Sequence, residues 1–216
     1  MKKRIVIIDD HPIVRQGFAQ LINQEEDLTV IGEAEDAAGA VDLIEACNPD
    51  LALVDLSLKN SNGIELIKDL NRLKPELKVL VISLHDESVY AERALRAGAK
   101  GFIMKAEATD SVMIAIRMVL RGEVYLSDKM RNQLLSAMAG GGTTRAMNPT
   151  EVLSDRELEV LQAIGRGEST RAIADILCLS VKTIETYKSH LKQKLALKNS
   201  TELMQYAVEW HLTSGA

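Results

Sequence analysis

Two patterns of apolar and polar positions alternate along the first 121 residues. Short continuous apolar runs alternate with segments in which apolar residues recur every three or four positions. The first pattern predicts buried strands and the second predicts amphipathic helices. Five such pairs predict a parallel sheet with helices on both faces. The predicted strands cover residues 5–8, 28–31, 51–54, 79–82 and 102–104, and the predicted helices cover residues 13–22, 37–46, 63–73, 89–97 and 111–120.

A different pattern begins after Arg121. Residues 128–138 predict one amphipathic helix, and residues 139–150, AGGGTTRAMNPT, predict a flexible linker because they contain glycine, threonine and proline without a period. Four helical patterns follow without a predicted strand, and the first begins with Ser154 and Glu157 at the spacing of a capping box. The sequence therefore predicts a second, all-helical domain.

Acidic residues stand at the ends of two predicted strands. Asp9 and Asp10 end strand one and Asp55 ends strand three. In an open α/β sheet of order 2-1-3-4-5, ligands bind between the carboxyl ends of these two strands. A hard divalent cation relieves the repulsion among three carboxylates, and we expect Mg²⁺. Ser83 and Lys105, at the ends of strands four and five, add a hydroxyl and an ammonium, which predicts a joint site for a metal and a phosphoryl group.

Composition limits the class of protein. The 216 residues, 46% of them hydrophobic, suffice for two domains with cores of their own. Cys47 and Cys178 have neither metal-ligand spacing nor a framework count, so we expect reduced cysteines in the core and no disulfide. No apolar run approaches the roughly 20 residues of a membrane span. The sequence thus predicts a soluble cytoplasmic protein without a membrane partner.

The net charge of −5 hides a local basic segment. Residues 1–126 contain 15 Lys and Arg against 21 Asp and Glu, whereas residues 150–216 contain 8 against 9. Within residues 182–198 a group of lysines is opposed only by Glu185, which predicts an anion-binding face on a nearly neutral domain. These lysines are Lys182, Lys188, Lys192, Lys194 and Lys198.

Two groups of motifs resemble a known family. Residues 1–121 resemble a two-component receiver domain through IDD, VDLSL, VISLH and GFIMK, and residues 150–212 resemble the LuxR-type helix-turn-helix through LSDRELEVL, IADILCLS, VKTIETYKSHLKQKL and NSTEL. The combination is that of the NarL/FixJ subfamily of response regulators. It implies an α/β flavodoxin-like (βα)5 receiver at residues 1–121, a linker helix and flexible linker at residues 122–149, and a four-helix DNA-binding domain at residues 150–216.

The resemblance implies a phosphorylation site at the strand ends. Asp55 would be the phosphoacceptor and would attack a phosphohistidine of a sensor histidine kinase to form an acyl phosphate. Asp10, Asp55 and the backbone carbonyl of Ser57 would ligate Mg²⁺, with Asp9 acting through water. The added charge, near −2, would be the input of a switch.

The resemblance also implies partners for the phosphoryl group. Lys105 and Ser83 would hold its oxygens, and Phe102 would change rotamer when Ser83 moves. Alanine follows Lys105, so we expect a trans peptide bond there. His85 has two interpretations, a residue that tunes hydrolysis of the acyl phosphate or a solvated loop histidine, and the second is favoured. His11 is expected to pack on the first helix or cap it.

Helical spacing separates residues 180–195 into two faces. Ile184, Leu191 and Leu195 fall on one face and should pack on the preceding helices. Charge alone also fits an ordinary solvated helix, but the preceding TRAIADILCLS favours a helix-turn-helix. Lysines suit phosphates or guanine edges, and Glu185 can accept from cytosine N4. The candidate DNA contacts are Lys182, Thr183, Glu185, Thr186, Lys188, Ser189 and Lys192.

The last helical pattern carries two neighbouring apolar stripes. Leu203, Ala207 and Trp210 form one, and Met204, Val208 and His211 form the other. We expect the first to face inward and the second to face a second copy, because binding to an inverted-repeat operator generally requires a two-fold dimer. The alternative is that both stripes pack inward.

Three function classes compete. The favoured one is a phosphorylation-controlled transcriptional regulator, whose only reactions are phosphotransfer to itself and autodephosphorylation. An aspartyl-phosphate phosphohydrolase would share the nucleophile but would leave the basic helical domain without a purpose. A constitutive DNA binder with the receiver as a dimerisation module would not need the full set of Asp10, Asp55, Ser83 and Lys105.

Overall fold

The computed structural model describes residues 2–58, 61–139 and 152–214. They form two compact units, of which the first ends at Leu134 and the second begins at Leu135. Most of the predicted flexible linker, residues 140–150, lies outside the described residues.

A five-stranded parallel sheet forms the centre of the first unit. Its strands are β1 (Lys3–Ile8), β2 (Leu28–Ala34), β3 (Leu51–Val54), β4 (Lys78–Ser83) and β5 (Gly101–Met104). Their order is β2-β1-β3-β4-β5, and every neighbouring pair is parallel. This confirms the predicted flavodoxin-like fold, in which the carboxyl ends of β1 and β3 lie side by side. A short antiparallel ladder between Ser57–Leu58 and Ser61–Asn62 was not predicted.

The sheet is covered on both faces. Successive residues Ile5 to Ile8 of β1 point to opposite faces, yet each is at most 1% exposed. Helices α2, α3 and α4 each have an N-cap residue whose side chain accepts a backbone hydrogen bond. These N-caps are Asp36, Asn62 and Asp86. The helices are α1 (Pro12–Asn23), α2 (Ala37–Cys47), α3 (Gly63–Leu73), α4 (Glu87–Ala97) and α5 (Ala108–Leu120).

The segment after α5 packs on the receiver instead of leaving it. The backbone of Tyr125 accepts from Phe102 at 3.0 Å and donates to Lys100 at 3.0 Å, so it extends the sheet beyond β5. Glu87 of α4 accepts from the amide of Ser127 at 2.9 Å and from its hydroxyl, immediately before α6 (Asp128–Ala139). These contacts join the start of α6 to the first unit, which runs to Leu134.

Four helices form the second unit. They are α7 (Asp155–Gly165), α8 (Thr170–Ile176), α9 (Val181–Lys194) and α10 (Ser200–Ser214). The predicted capping box is present, since Glu157 accepts from the amide of Ser154 and Ser154 accepts from the amide of Glu157. Helix α7 packs on α9 and α10, and α8 packs on α9. The second unit is therefore the predicted all-α domain.

The cysteine prediction is wrong for Cys178. This residue is exposed and takes φ 52° in the turn between α8 and α9, while Cys47 is partly buried. Leu177 and Leu179, on either side of Cys178, are themselves only partly buried, so the apolar local pattern did not report the exposure of this turn. None of the helices in the described ranges has the length and hydrophobicity to cross a membrane.

Candidate functional site

The predicted carboxylates meet beyond the ends of β1 and β3. The amide of Asp55 donates to the carbonyl of Ile8 at 2.8 Å, which sets Asp55 beside the end of β1. Ligand atoms of Asp9, Asp10, His11 and Asp55 all lie within 4.8 Å of one another. Asp9 and Asp55 are each only 3% exposed. The sequence placed the three aspartates together correctly, but it did not include His11.

Two oxygens of this cluster are buried without a hydrogen-bond partner among the described residues. They are Oδ1 of Asp10 and Oδ1 of Asp55. Nδ1 of His11 lies 2.7 Å from Oδ1 of Asp10 but is not aligned for a hydrogen bond. A buried carboxylate oxygen without a donor is costly, and a cation with oxygen ligands removes that cost. The donor set therefore fits a divalent metal ion.

Lys105 pairs with the Oδ2 oxygens of the cluster and not with the two unpartnered Oδ1 oxygens. Its Nζ is 2.7 Å from Oδ2 of Asp9 and 2.7 Å from Oδ2 of Asp55, and its side chain is 8% exposed. Burial acts to lower the pKa of Lys105, but the two carboxylates outweigh it and the pKa is raised. Burial is also the largest influence on Asp55 and raises its pKa to about 6, with Lys105 acting downward and Asp9 upward. The ammonium of Lys105 thus neutralises the Oδ2 oxygens of Asp9 and Asp55. Oδ1 of Asp10 and Oδ1 of Asp55 form the open edge of the site.

Ser83 and Phe102 line the neighbouring strands as predicted. Ser83 is the last residue of β4 and Phe102 lies in β5, and both are fully buried. The hydroxyl oxygen of Ser83 accepts from the amide of His85 at 3.1 Å. That hydroxyl therefore faces the loop that follows β4, one residue before Leu84.

His85 lies in the loop after β4, where it is partly buried and has two neighbours. Its Nε2 lies 3.0 Å from Oγ of Ser57, and its ring stacks on Tyr90 with centroids 4.5 Å apart. The loop that follows β3 is thereby tied to the loop that follows β4. No local pattern predicts this pair, because 28 positions separate its members.

Gly63 lets the loop after Asp55 close tightly. A Cβ at this position would lie 2.5 Å from the carbonyl oxygen of Asp55 and 2.5 Å from Cα of Leu56. The amide of Gly63 donates to the carbonyl of Leu56 at 3.0 Å. Only glycine fits this approach without moving the backbone that carries Asp55.

The peptide bond after Lys105 is trans, as expected, and no cis bond occurs in the described chain.

Helix α9 has the two faces that its sequence predicted. Ile184 and Leu191 are fully buried, and Leu195, which follows the helix, is partly buried. The opposite face carries the candidate DNA contacts. Lys182, Glu185, Thr186 and Ser189 are exposed, and Thr183, Lys188 and Lys192 are partly buried.

Two candidate contacts are engaged within the domain. Nζ of Lys188 donates to Oγ1 of Thr170 at 2.8 Å and to Oε1 of Glu185 at 3.2 Å. Thr170 belongs to α8, so these bonds join the two helices of the helix-turn-helix. Thr170 was not among the residues predicted from the sequence, because nothing in its local context sets it apart.

The two stripes of α10 differ in burial as expected. Leu203 and Ala207 are fully buried and Trp210 is 9% exposed, whereas Met204 and Val208 are 56% and 38% exposed. Gly165 of α7 lies so close to α10 that a Cβ there would be 2.6 Å from the carbonyl oxygen of Ala207. Met204 and Val208 are thus left on the surface of the second unit. His211, predicted in the same stripe, is partly buried instead, because a Cβ at Gly165 would also be 2.8 Å from the Cβ of His211.

Comparison with known proteins accounts for both units. Residues 5–117 match the response regulator receiver domain, and residues 151–207 match the bacterial regulatory proteins of the luxR family. The chain is 36% identical over 210 residues to the oxygen regulatory protein NreC of Staphylococcus aureus (strain JH9), covering 95% of this chain and 97% of NreC. The protein is a two-component response regulator of the NarL/FixJ subfamily.

Solved structures support this assignment of the response regulator. RcsB from Salmonella enterica serovar Typhimurium, bound to promoter rprA in the presence of the phosphomimetic BeF₃⁻, is similar with a TM-score of 0.65 and 26% identity, covering 96% of this chain and 99% of that one. A structure of two RcsB dimers bound to two parallel DNAs is similar with a TM-score of 0.58 and 26% identity over all of both chains.

Proposed function

We propose that the response regulator is phosphorylated on Asp55 by a sensor histidine kinase and that phosphorylation controls its binding to DNA. One observation carries the proposal: Oδ1 of Asp55 is buried without a hydrogen-bond donor among the described residues, while Lys105 holds Oδ2 at 2.7 Å. In the reaction, a carboxylate oxygen of Asp55 forms a bond to phosphorus as the bond between phosphorus and the kinase imidazole breaks. The imidazole keeps the electron pair, and Asp55 becomes an acyl phosphate.

Asp10, Asp55 and the carbonyl of Ser57 would hold Mg²⁺ at the open edge, with Asp9 acting through water. Asp9 suits the indirect role, because its Oδ1 accepts from the amide of His11 at 2.8 Å and its Oδ2 pairs with Lys105. When bound, Mg²⁺ supplies positive charge between the carboxylates and the phosphoryl oxygens. Lys105 supplies the same on the opposite side.

The hydroxyl of Ser83 would turn to the phosphoryl group and release the amide of His85. That amide is its present partner at 3.1 Å, so the loop before α4 would have to rearrange. Phe102 is fully buried, and its movement would fill space that the loop vacates. The switch thus starts from one exchanged hydrogen bond.

The exposed face of α9 would enter the major groove of double-stranded DNA. Lys182, Thr183, Thr186, Ser189 and Lys192 supply donors there for phosphates and base edges. Two copies would bind an inverted repeat through the exposed stripe of α10, with Leu203 and Ala207 supporting Met204 and Val208 from within. The likeness to RcsB, which binds DNA as dimers, supports a dimer on DNA. Such a regulator works in the cytoplasm, where bacterial DNA lies.

Labelling of the full chain by radioactive acetyl phosphate tests the acceptor. We expect Mg²⁺-dependent labelling of the wild-type protein and none of Asp55→Asn. Asp42→Asn is the matched control, because Asp42 is an exposed carboxylate on α2. Labelling that persists in Asp55→Asn would place the nucleophile elsewhere. Equal DNA affinity of labelled and unlabelled wild-type protein would instead favour the constitutive DNA binder.

A further inference from the structure

A closed ring of hydrogen bonds lies on the surface of the helix-turn-helix. Lys188 donates from Nζ to Oγ1 of Thr170 at 2.8 Å, and Thr170 donates from Oγ1 to Oε1 of Glu185 at 3.1 Å. Nζ of Lys188 also donates to Oε1 of Glu185 at 3.2 Å, which closes the ring. Thr170 lies on α8 and the other two residues lie on α9, so the ring spans both helices.

The ring leaves Glu185 with one open oxygen. Oε1 receives both donors, whereas Oε2 accepts no hydrogen bond from any residue in the described ranges. The side chain of Glu185 is 58% exposed, but that of Lys188 is only 21% exposed. Glu185 therefore presents to solvent a hydrogen-bond acceptor whose position is fixed by Thr170 and Lys188. The ammonium of Lys188 is bonded within the domain and is less exposed.

Glu185 keeps its charge in this setting. Slight burial acts to raise its pKa, but the hydrogen bonds from Lys188 and Thr170 outweigh it, so the pKa is lowered. An ionised carboxylate can accept hydrogen bonds and cannot donate them. Among major-groove edges, guanine shows two acceptors, adenine an acceptor beside its amino group, and thymine an acceptor and a methyl group. Cytosine shows the N4 donor alone, so it suits a carboxylate best.

We propose that Glu185 reads a cytosine in each half-site and that Thr170 and Lys188 are positioning residues that hold its carboxylate. This inference rests on the proposed binding of α9 to DNA. It assigns Thr170 a part in recognition, and it removes Lys188 from the phosphate contacts that the sequence suggested.

Selection from a random DNA library with the full chain, Mg²⁺ and beryllium fluoride tests the proposal. We expect wild-type protein to enrich a site in which cytosine at one position of each half is preferred over thymine by about 10-fold or more, the size of one hydrogen bond to a charged group. Glu185→Gln should lose this preference and shift it toward adenine, whose N6 and N7 suit an amide. Asp175→Asn is the matched control, because it removes one exposed negative charge from α8 and should keep the cytosine.

Binding titrations on the selected site test the positioning residues. Thr170→Val should weaken the cytosine preference several-fold in the wild-type background and have no such effect in the Glu185→Gln background, which loss of folding would not produce. Lys188→Met should leave the slope of log affinity against log salt unchanged, whereas loss of a phosphate contact reduces it by about 1.

The outcomes separate this inference from the proposed function. If wild-type protein enriches no site, the proposed DNA binding fails. If it enriches a site and Glu185→Gln keeps the same base preference, only the role of Glu185 fails. A salt slope reduced by about 1 in Lys188→Met would return Lys188 to the phosphate contacts and overturn its positioning role.

Discussion

Asp55→Asn should stabilise the first unit when no divalent cation is present. Asp55 is 3% exposed, and burial raises its pKa from 3.8 to about 6. Its charged form is therefore less favourable in the folded protein than in the unfolded chain. Asparagine has nearly the same shape and carries no charge, so it avoids this cost.

The magnitude follows from the pKa. One pKa unit corresponds to about 1.4 kcal/mol, so ionised Asp55 lowers the free energy of unfolding by about 3 kcal/mol. Below pH 3.8 both folded and unfolded chains hold the proton, and the difference vanishes. As pH rises from 3.8 to about 6, the unfolded chain loses the proton first, so the wild-type protein loses stability. Above pH 6 the full difference between the variant and the wild type remains.

Urea unfolding of the full chain in EDTA at several pH values measures this effect. Far-UV circular dichroism follows both units, while fluorescence of Trp210, the single tryptophan of the chain, follows the second. The transition of the second unit should be the same in both proteins, which provides an internal control. Asp42→Asn should change the first transition by less than about 0.5 kcal/mol.

Mg²⁺ should reduce this difference in stability, and it should reverse the order above about 150 times the dissociation constant. It should stabilise the wild-type protein in proportion to the logarithm of its concentration above the dissociation constant, and Asp55→Asn should respond far less. If Asp55→Asn is no more stable than wild type at pH 7.5 in EDTA, the argument from burial is wrong. If both proteins respond equally to Mg²⁺, Asp55 is not a ligand.

Three further predictions concern contacts outside the acidic site. Glu87→Ala should lower the free energy of unfolding of the first unit by about 1–3 kcal/mol, because the amide and hydroxyl of Ser127 lose a buried acceptor, and hydrogen exchange should quicken over residues 127–134. Glu157→Gln should cost the second unit a similar amount at pH 7, since Lys194 loses its partner at 2.7 Å. Burial acts to raise the pKa of Glu157, but Lys194 and Ser154 outweigh it and the pKa is lowered. The stabilisation should therefore be present above pH 4.5 and disappear as pH falls below it. Urea titrations followed by Trp210 fluorescence would measure it. Val208→Asp should weaken binding to an inverted repeat by more than about 10-fold, because it puts a charge on the exposed apolar stripe through which two copies would meet; Val208 is 38% exposed. Phosphorylation of Asp55 should stay intact. Unchanged binding would remove α10 from the dimer contact.

Sequence patterns were enough to predict the architecture and the centre of the acidic site. Alternating βα units predict a parallel sheet, whose strands have their carboxyl ends at one edge, and the resemblance to a receiver domain supplies the order that puts β1 beside β3. Asp9, Asp10 and Asp55 could therefore be placed together without coordinates. The buried and exposed stripes of α10 also followed from helical spacing, because period and burial are linked within one element.

The pairing of side chains across elements could not be predicted from sequence patterns and depends on the packed three-dimensional structure. Lys105 bridges Asp9 and Asp55, His85 meets Ser57, Glu87 holds Ser127, and Thr170 joins α8 to α9. Local periodicity reports which face a residue occupies, but a hydrogen bond depends on how two elements pack and which rotamers that packing permits. Cys178 shows the same limit, because its apolar neighbours predicted burial while the turn between two helices left it exposed.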